Sequence, residues 1–400
     1  MTPVSQSIGG SFGDLSVHLD PERLVGKLRQ LVRTPSENPP GEEAAAAALA
    51  ASYCEELGLD VRTFEAEPGR PSIVARWEGG PGPTLGYCSH LDVVPVGDPG
   101  LWERHPFSGD IEDGLLHGRG ACDAKGPIAA ALEAVAMLRE AGFEPSGTLE
   151  LELVADEETM GFKGAGYLVE QGIVRPDLAI VGEPTSLRVV RAQRGACWFR
   201  IITRGKAGHG SAPERGISAI RHMSEIVLRL EETVPDISHP VLGGPSINVG
   251  TIRGGEKVNI IPASCIVEVD RRSIPEETAE SVTASIEEAI ERSRARFPDI
   301  DASVELAFYA EPFEVSENSS VVQQMAAALE DATGAPAELI GFRGASDARF
   351  LADRGTEVIV CGPGDIRLAH TARESLDLVE LERGALAYAN AFSRLLAPQA

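Results

Sequence analysis

Five side chains spread along the chain are of the types that hold a divalent cation: His90, Asp123, Glu158, Glu183 and His370. Two imidazoles and three carboxylates are nitrogen and oxygen donors. They suit zinc, cobalt or manganese rather than an iron–sulfur cluster. A catalytic zinc takes three protein ligands and leaves a place for water, so five ligands serve two ions if one carboxylate bridges. Asp123, on a short side chain after Gly118-Arg119-Gly120, is the expected bridge. A metal pair about 3.5–4 Å apart can share a water and hold a developing oxyanion. Of the adjacent acids Glu157 and Glu158, one can bind metal while the other faces that water as general base. Spacing alone does not assign the two roles. Asp92 lies two residues after His90, and in a strand such positions share a face. A carboxylate there can fix the tautomer of a ligating imidazole. Taken singly, each of these residues has a plain structural explanation: a histidine at a strand end, a solvated acidic turn, a glutamate capping a turn before proline. The chemical reading rests on their shared placement.

That placement follows from the elements. Residues 85–94 form an apolar run broken by His90 and Asp92. Residues 148–155 alternate and deliver Asp156-Glu157-Glu158, and the apolar residues 177–181 deliver Gly182-Glu183. After Asp123, apolar residues at Ile128, Leu132, Val135 and Leu138 give a helical period that stops at Gly142. Asp20-Pro21-Glu22 opens a helix with an N-cap and a proline at its first position. Residues 42–57 form a second, Ala-rich helix. Strands alternating with helices imply an α/β domain with a mixed, mostly parallel sheet and helices on both faces. In such sheets ligands bind at the carboxyl ends of the strands. From Arg194 the order becomes β-α-β-β-α-β, the ferredoxin-like plan. Afterwards a helix at 319–333, a strand at 356–361 and a closing helix at 381–396 resume the first domain. The expected organisation is a catalytic domain in two parts, residues 1–193 and 311–400, interrupted by an inserted lid or dimerisation domain, residues 194–310.

Composition narrows the partners. The 400 residues carry 61 acidic and 36 basic side chains, a formal charge of −25. Nucleic acid and anionic membranes need a basic footprint and are not expected. No apolar run is long enough to span a bilayer. The first twenty residues lack the basic and apolar regions of a secretory signal, so a cytoplasmic location is expected and the polar start is expected to be frayed. The six cysteines form no C-x-x-C pair and read as buried hydrophobes in a reducing compartment.

The order Ser89-His90-Leu91-Asp92-Val93-Val94-Pro95, Trp102, Pro106-Phe107, Gly118-Arg119-Gly120-Ala121-Cys122-Asp123-Ala124-Lys125-Gly126, Asp156-Glu157-Glu158, Gly182-Glu183-Pro184-Thr185 and Ala369-His370 resembles one family of co-catalytic zinc hydrolases. It is the family of acetylornithine deacetylase, succinyl-diaminopimelate desuccinylase and carboxypeptidase G, and the likeness covers nearly all of the chain after residue 20. The resemblance implies two Zn²⁺, with Co²⁺ or Mn²⁺ as alternatives. It implies His90 and Glu183 as ligands of one ion, Glu158 and His370 of the other, Asp123 between them, Asp92 orienting His90 and Glu157 as general base. The peptide after the bridging aspartate, Asp123–Ala124, would be cis. His209 in Gly208-His209-Gly210-Ser211 resembles a lid histidine that reaches the partner subunit's site and polarises the scissile carbonyl. Asn259 and Arg272 resemble residues that grip the substrate carboxylate, a task suited to arginine's planar fork. Arg194, Gly344 and Ser346 resemble pocket positions, although Ala345 replaces the Thr or Cys of many relatives. The implied activity is hydrolysis of the amide bond of an N-acyl amino acid, acetylornithine or succinyl-diaminopimelate being the model substrates, by a homodimer joined through the insert. A carboxypeptidase or dipeptidase on the same scaffold is the alternative. A catalytically silent ligand-binding homologue would have lost a ligand or the base, and none of the seven positions is lost.

Overall fold

The computed structural model describes residues 13–397; the start expected to be frayed lies largely outside them. The chain divides into two compact units. Unit 1 comprises the chain up to Arg191 with Val315–Ile340 and the segment from Ser346 onward, and unit 2 comprises Ala192–Glu314 with Gly341–Ala345.

The sheet of unit 1 runs in the order Asp60–Glu65, Pro71–Glu78, Ser146–Val154, Gly80–His90, Leu178–Val181, Glu357–Val360 and Val189–Gln193. The three central pairings, among Ser146–Val154, Gly80–His90, Leu178–Val181 and Glu357–Val360, are parallel, and the flanking ones are antiparallel. From Leu85 to His90 every residue of the Gly80–His90 strand is buried. This is why that stretch reads as a continuous apolar run and not as an alternation. The Leu378–Leu395 helix packs on Lys125–Glu140 and Ser320–Thr333, and Pro21–Val32 packs on Lys125–Glu140. Asp20 accepts hydrogen bonds from Glu22 N and Arg23 N, and so caps the helix that its sequence announces.

Unit 2 holds a four-stranded antiparallel sheet ordered Ser246–Gly254, Ser264–Ser273, Gly195–Arg204, Asp301–Ala310. With the helices Ala219–Leu230 and Ala279–Ser293 it follows the β-α-β-β-α-β order. Phe199 and Ile201 point into a core shared with Met223, Ile226, Val282 and Ile286, while Trp198 and Arg200 on the alternate positions face solvent.

Gly341–Ala345 falls in unit 2, where the sequence reading kept residues 311–400 together. The cause is local: Arg194 N donates to Phe342 O at 3.0 Å, and Gly341 lies tight against Val241 and Leu242. Four elements too short to announce themselves also appear: a small sheet of Asp110–Glu112, Leu115–His117 and Ser375–Asp377, and the helix Ala348–Asp353.

Candidate metal centre

Three strand ends and two loops of unit 1 meet at Asp123. His90 is the last residue of its strand, Glu157 and Glu158 lie in the turn that follows Ser146–Val154, and Glu183 follows Leu178–Val181. Asp123 stands on the turn before the Lys125–Glu140 helix and is followed by a cis Asp123–Ala124 peptide. The two oxygens of Asp123 are divided between the two imidazoles. Oδ1 lies 3.1 Å from His90 Nε2, and Oδ2 lies 3.2 Å from His370 Nε2. His90 Nε2 also faces Glu183 Oε1 at 3.9 Å, and His370 Nε2 faces Glu158 Oε2 at 3.1 Å. Ligand atoms of His90, Asp123 and Glu158 all fall within 4.8 Å of one another. The result is two imidazole–carboxylate pairs joined by one shared carboxylate.

Each donor is aimed from behind. His90 Nδ1 donates to the carbonyl of Asp92 at 2.9 Å, which leaves Nε2 as the lone-pair atom facing Asp123. The Asp92 carboxylate is farther away, with Oδ1 3.6 Å from Nδ1. Its closer contacts are with the acid turn, where it accepts from Glu157 N at 3.2 Å and Glu158 N at 3.1 Å. Asn38 Nδ2 donates to the same carboxylate at 2.8 Å and to Thr159 Oγ1 at 2.9 Å. Thr159 Oγ1 donates to Asp156 Oδ1, which also accepts from Arg70, and Arg70 in turn bonds the buried Glu43. Asp156 and Met160, on either side of Glu157–Thr159, take left-handed backbone conformations at φ 73° and 86°. Such conformations persist where surrounding bonds over-determine them. Glu157 and Glu158 sit on the 3-10 turn Glu157–Thr159 and not on the strand itself.

Asp123 is held by Glu374. Glu374 Oε1 accepts from Gly120 N, Cys122 N and Asp123 N at 3.0, 3.3 and 3.3 Å, and its other oxygen takes Arg119 Nη1 at 2.5 Å. Glu183 is placed by a close approach of backbone to ring. Gly182 packs so tightly on Tyr87 that an added Cβ would lie 2.1 Å from its hydroxyl, and Ser89 Oγ donates to Gly182 O.

In unit 2, His209 lies on a two-residue strand paired with Ile260–Ile261, and Gly210 N donates to Asn259 O at 2.9 Å, which brings His209 and Asn259 together. Ser211 N donates to His209 Nδ1 at 3.2 Å, so a neutral imidazole carries its proton on the exposed Nε2. Arg272 is partly exposed and bonds Asp270, whereas its neighbour Arg271 is fully buried and paired with Glu277, a structural contact. Arg194 is buried, donating to Leu242 O at 2.6 Å. Gly344 lies in unit 2, and Ser346, in unit 1, is buried.

Residues 86–394 match Peptidase family M20/M25/M40. This chain belongs to that family. It is 32% identical over 381 residues to an acetylornithine deacetylase of Photorhabdus laumondii, covering 91% of this chain and 94% of that one. A second acetylornithine deacetylase, from Myxococcus xanthus, is 35% identical over 305 residues, 75% of this chain and 77% of its own. Among solved structures the fold is similar to an aminopeptidase of Bacillus cereus, with TM-score 0.78, 24% identity and coverage of 94% and 99%. It is also similar to a dinuclear metal-binding peptidase of Bacillus subtilis, with TM-score 0.73, 17% identity and coverage of 96% and 99%. The chain is a metal-dependent hydrolase of this family, built on the family's mixed α/β fold.

The donor set fits divalent cations. Two ligands about 2.0–2.2 Å from one tetrahedral ion lie roughly 3.3 Å apart, close to the 3.1 and 3.2 Å contacts here. The site is also short of positive charge. Burial, opposed by the charge of His90 and reinforced by neighbouring acids, holds Glu157 and Glu183 well above the usual carboxylate range. The hydrogen bonds to Asp123 and Glu158, partly opposed by burial, lift His370 to about 10. Protons and cations thus compete for the same Nε2 atoms. Sequence reasoning missed Asn38, Arg70, Glu43, Arg119 and Glu374. Arg119 stands inside the Gly118–Gly126 motif with no role assigned to it there, and nothing local marks its partner, since Arg119 and Glu374 meet across 255 positions.

Proposed function

We propose that this enzyme hydrolyses the amide bond of an N-acyl amino acid with a pair of zinc ions, cobalt or manganese being the alternatives. The observation that carries the reading is the Asp123 carboxylate, one oxygen of which faces His90 Nε2 and the other His370 Nε2, with Glu183 against the first imidazole and Glu158 against the second. The relatives of similar length called acetylornithine deacetylase favour a deacylase over a carboxypeptidase or dipeptidase. Bound divalent cations supply Lewis acidity toward an amide carbonyl and acidify water. Glu157, raised above its ordinary range, is suited to take a proton from the attacking water and return it to the leaving amine. The water oxygen adds to the carbonyl carbon to give a tetrahedral oxyanion, and the C–N bond then breaks as the amine takes up the proton, giving a carboxylic acid and a free amine. Asp92 keeps Glu157 and Glu158 apart and His90 in its ligating tautomer. His209, supplied by the second copy of a homodimer joined through unit 2, donates Nε2–H to the oxyanion. Asn259 and Arg272 take the substrate α-carboxylate, with Gly344 and Ser346 lining the pocket loop. The enzyme works in the cytoplasm.

The test is Glu157→Gln assayed on a panel of acetylornithine, succinyl-diaminopimelate, acyl-glutamates and dipeptides, with metal content measured. Loss of a general base is expected to lower kcat by about 10²–10⁴-fold with the metal retained. Full turnover at full metal loading would refute the assignment, and cleavage of dipeptides alone would replace the deacylase reading by the peptidase one.

A further inference from the structure

The donors of the candidate metal centre are carried by two kinds of backbone. His90 ends the Gly80–His90 strand and is buried, and Glu183 follows Gly182, whose N–H donates to Cys88 O at 2.8 Å. Sheet hydrogen bonds thus place that pair. On the other side Asp123, Glu158 and His370 stand on turns, His370 in the left-handed region at φ 62° with its side chain 54% exposed. A turn has no ladder of its own, so side chains must hold these three in register.

Arg119 is the side chain on which those turns converge. It is 2% exposed and stands four residues before Asp123. Nη1 donates to Glu374 Oε2 at 2.5 Å and to Thr371 O, directly after His370, at 3.3 Å. Nη2 donates to Pro95 O at 3.5 Å, and the residue before that proline, Val94, gives its N–H to Glu158 Oε1 at 3.2 Å. The remaining oxygen of Glu374 takes the N–H groups of Gly120, Cys122 and Asp123. The guanidinium also lies 5.1 Å from the centre of the Trp102 ring, a cation–π contact. A planar fork reaches all these acceptors at once, whereas an ammonium at the same place keeps one or two. With lysine there, Glu374 would still hold the Asp123 turn, but the ties to Thr371 and Pro95 would go.

We propose that Arg119, paired with Glu374, is a positioning residue that sets the affinity of the His370–Glu158 side for its divalent cation, while the His90–Glu183 side is held by the sheet independently of it. This rests on the division of ligands given above and deepens it. Loss of the fork loosens one ion and leaves the other as before. A residue that only stabilised the domain would loosen both alike.

The experiment titrates Zn²⁺ into the metal-free full-length protein in competition with a chromophoric chelator, which reads the dissociation constant of each ion without turnover. The parent should bind two ions per chain, and His370→Ala should lose one of the two steps. Arg119→Lys should weaken that same step about 10–100-fold, the usual effect of removing an outer partner of a metal ligand, with the other step changed by less than about threefold. Both steps weakened alike, or neither weakened, overturns the proposal. Should Arg119→Lys fail to fold, Glu374→Gln decides, because it keeps the size and an oxygen for the three amides. It weakens only the charge-assisted bond to Arg119, so the same step should loosen about threefold or more, and an equal change in both steps or in neither overturns the proposal. A parent that binds a single ion, or His370→Ala that keeps both steps, refutes the division of ligands and the proposal with it. A lost step in His370→Ala beside parent-like binding in Arg119→Lys refutes the proposal alone.

Discussion

Asn38 is the residue through which the His90 side of the centre and the acid turn are tied together, and replacing it by alanine tests that connection. The side chain is buried, with one amide nitrogen donating at 2.8 Å to the Asp92 carboxylate and at 2.9 Å to Thr159 Oγ1. A bond to a charged acceptor is worth about 1.5–3 kcal/mol and one to a neutral hydroxyl about 0.5–1.5 kcal/mol. Thr159 keeps its bond to Asp156, so only part of the second contribution is lost. The expected destabilisation is about 2–3 kcal/mol, read as a lower urea midpoint at unchanged m-value. The functional effect follows from what Asp92 does next. It holds Glu157 N and Glu158 N, and a misplacement of the order of 1 Å at a reacting group can cost about 10²-fold in rate. Steady-state kinetics of the metal-loaded variant should show kcat down by roughly 10- to 100-fold with KM changed by less than about twofold. Asn38→Asp keeps the shape but sets an acid against Asp92, so it should rescue neither number at neutral pH. A variant with lowered stability and unchanged kcat would refute the reasoning, because Asn38 would then brace the loop without aligning the acids.

Other outcomes follow from the same contacts. His370→Ala removes the imidazole that faces both Glu158 and the second oxygen of Asp123. After dialysis against a weak chelator, metal analysis should give one ion per chain instead of two, and retention of two would reject the division of ligands. Glu152 is fully buried with no hydrogen-bond partner for either carboxyl oxygen among the described residues, and burial first and then the charge of Glu150 hold its carboxyl well above the ordinary range. A raised folded value lends stability that is fully present below the unfolded pKa of about 4.3 and is lost as pH rises through the folded value. Glu152→Gln should therefore match the parent near pH 4 and exceed it at pH 8 by about 1–3 kcal/mol in denaturant melts. A parallel pair of stability–pH curves would contradict this.

Much of the architecture is legible because its causes are local. Leu85 to Cys88 lacks polar side chains of the alternating kind since both faces of that strand are covered, and Asp20-Pro21 caps a helix whatever packs on it. In the first strand of unit 2 the alternation of Phe199 and Ile201 with Trp198 and Arg200 marks which face meets the core. His90, Glu158 and Glu183 are visible for a related reason: they lie at or just past the ends of strands that the apolar pattern locates, where α/β sheets bind ligands, whereas Asp123 and His370 lie on loops. What could not be read is how a turn is held. Asp92 is close to His90 in sequence, yet its carboxylate spends its hydrogen bonds on Asn38 and on the backbone of Glu157 and Glu158. Arg271 and Arg272 look alike in sequence, and only the fold makes one a buried structural pair and leaves the other partly exposed.

The sequence by itself determined which donors are available and at which strand ends they emerge, because periodicity and capping act over a few residues. The tertiary structure alone decided that the two oxygens of Asp123 face different imidazoles, that Glu374 gathers three amides beneath it, and that Arg119 reaches Glu374, Thr371 and Pro95 at once. Those arrangements join positions dozens to hundreds of residues apart. Their geometry is fixed by how whole strands and helices pack, and no short stretch of sequence encodes it.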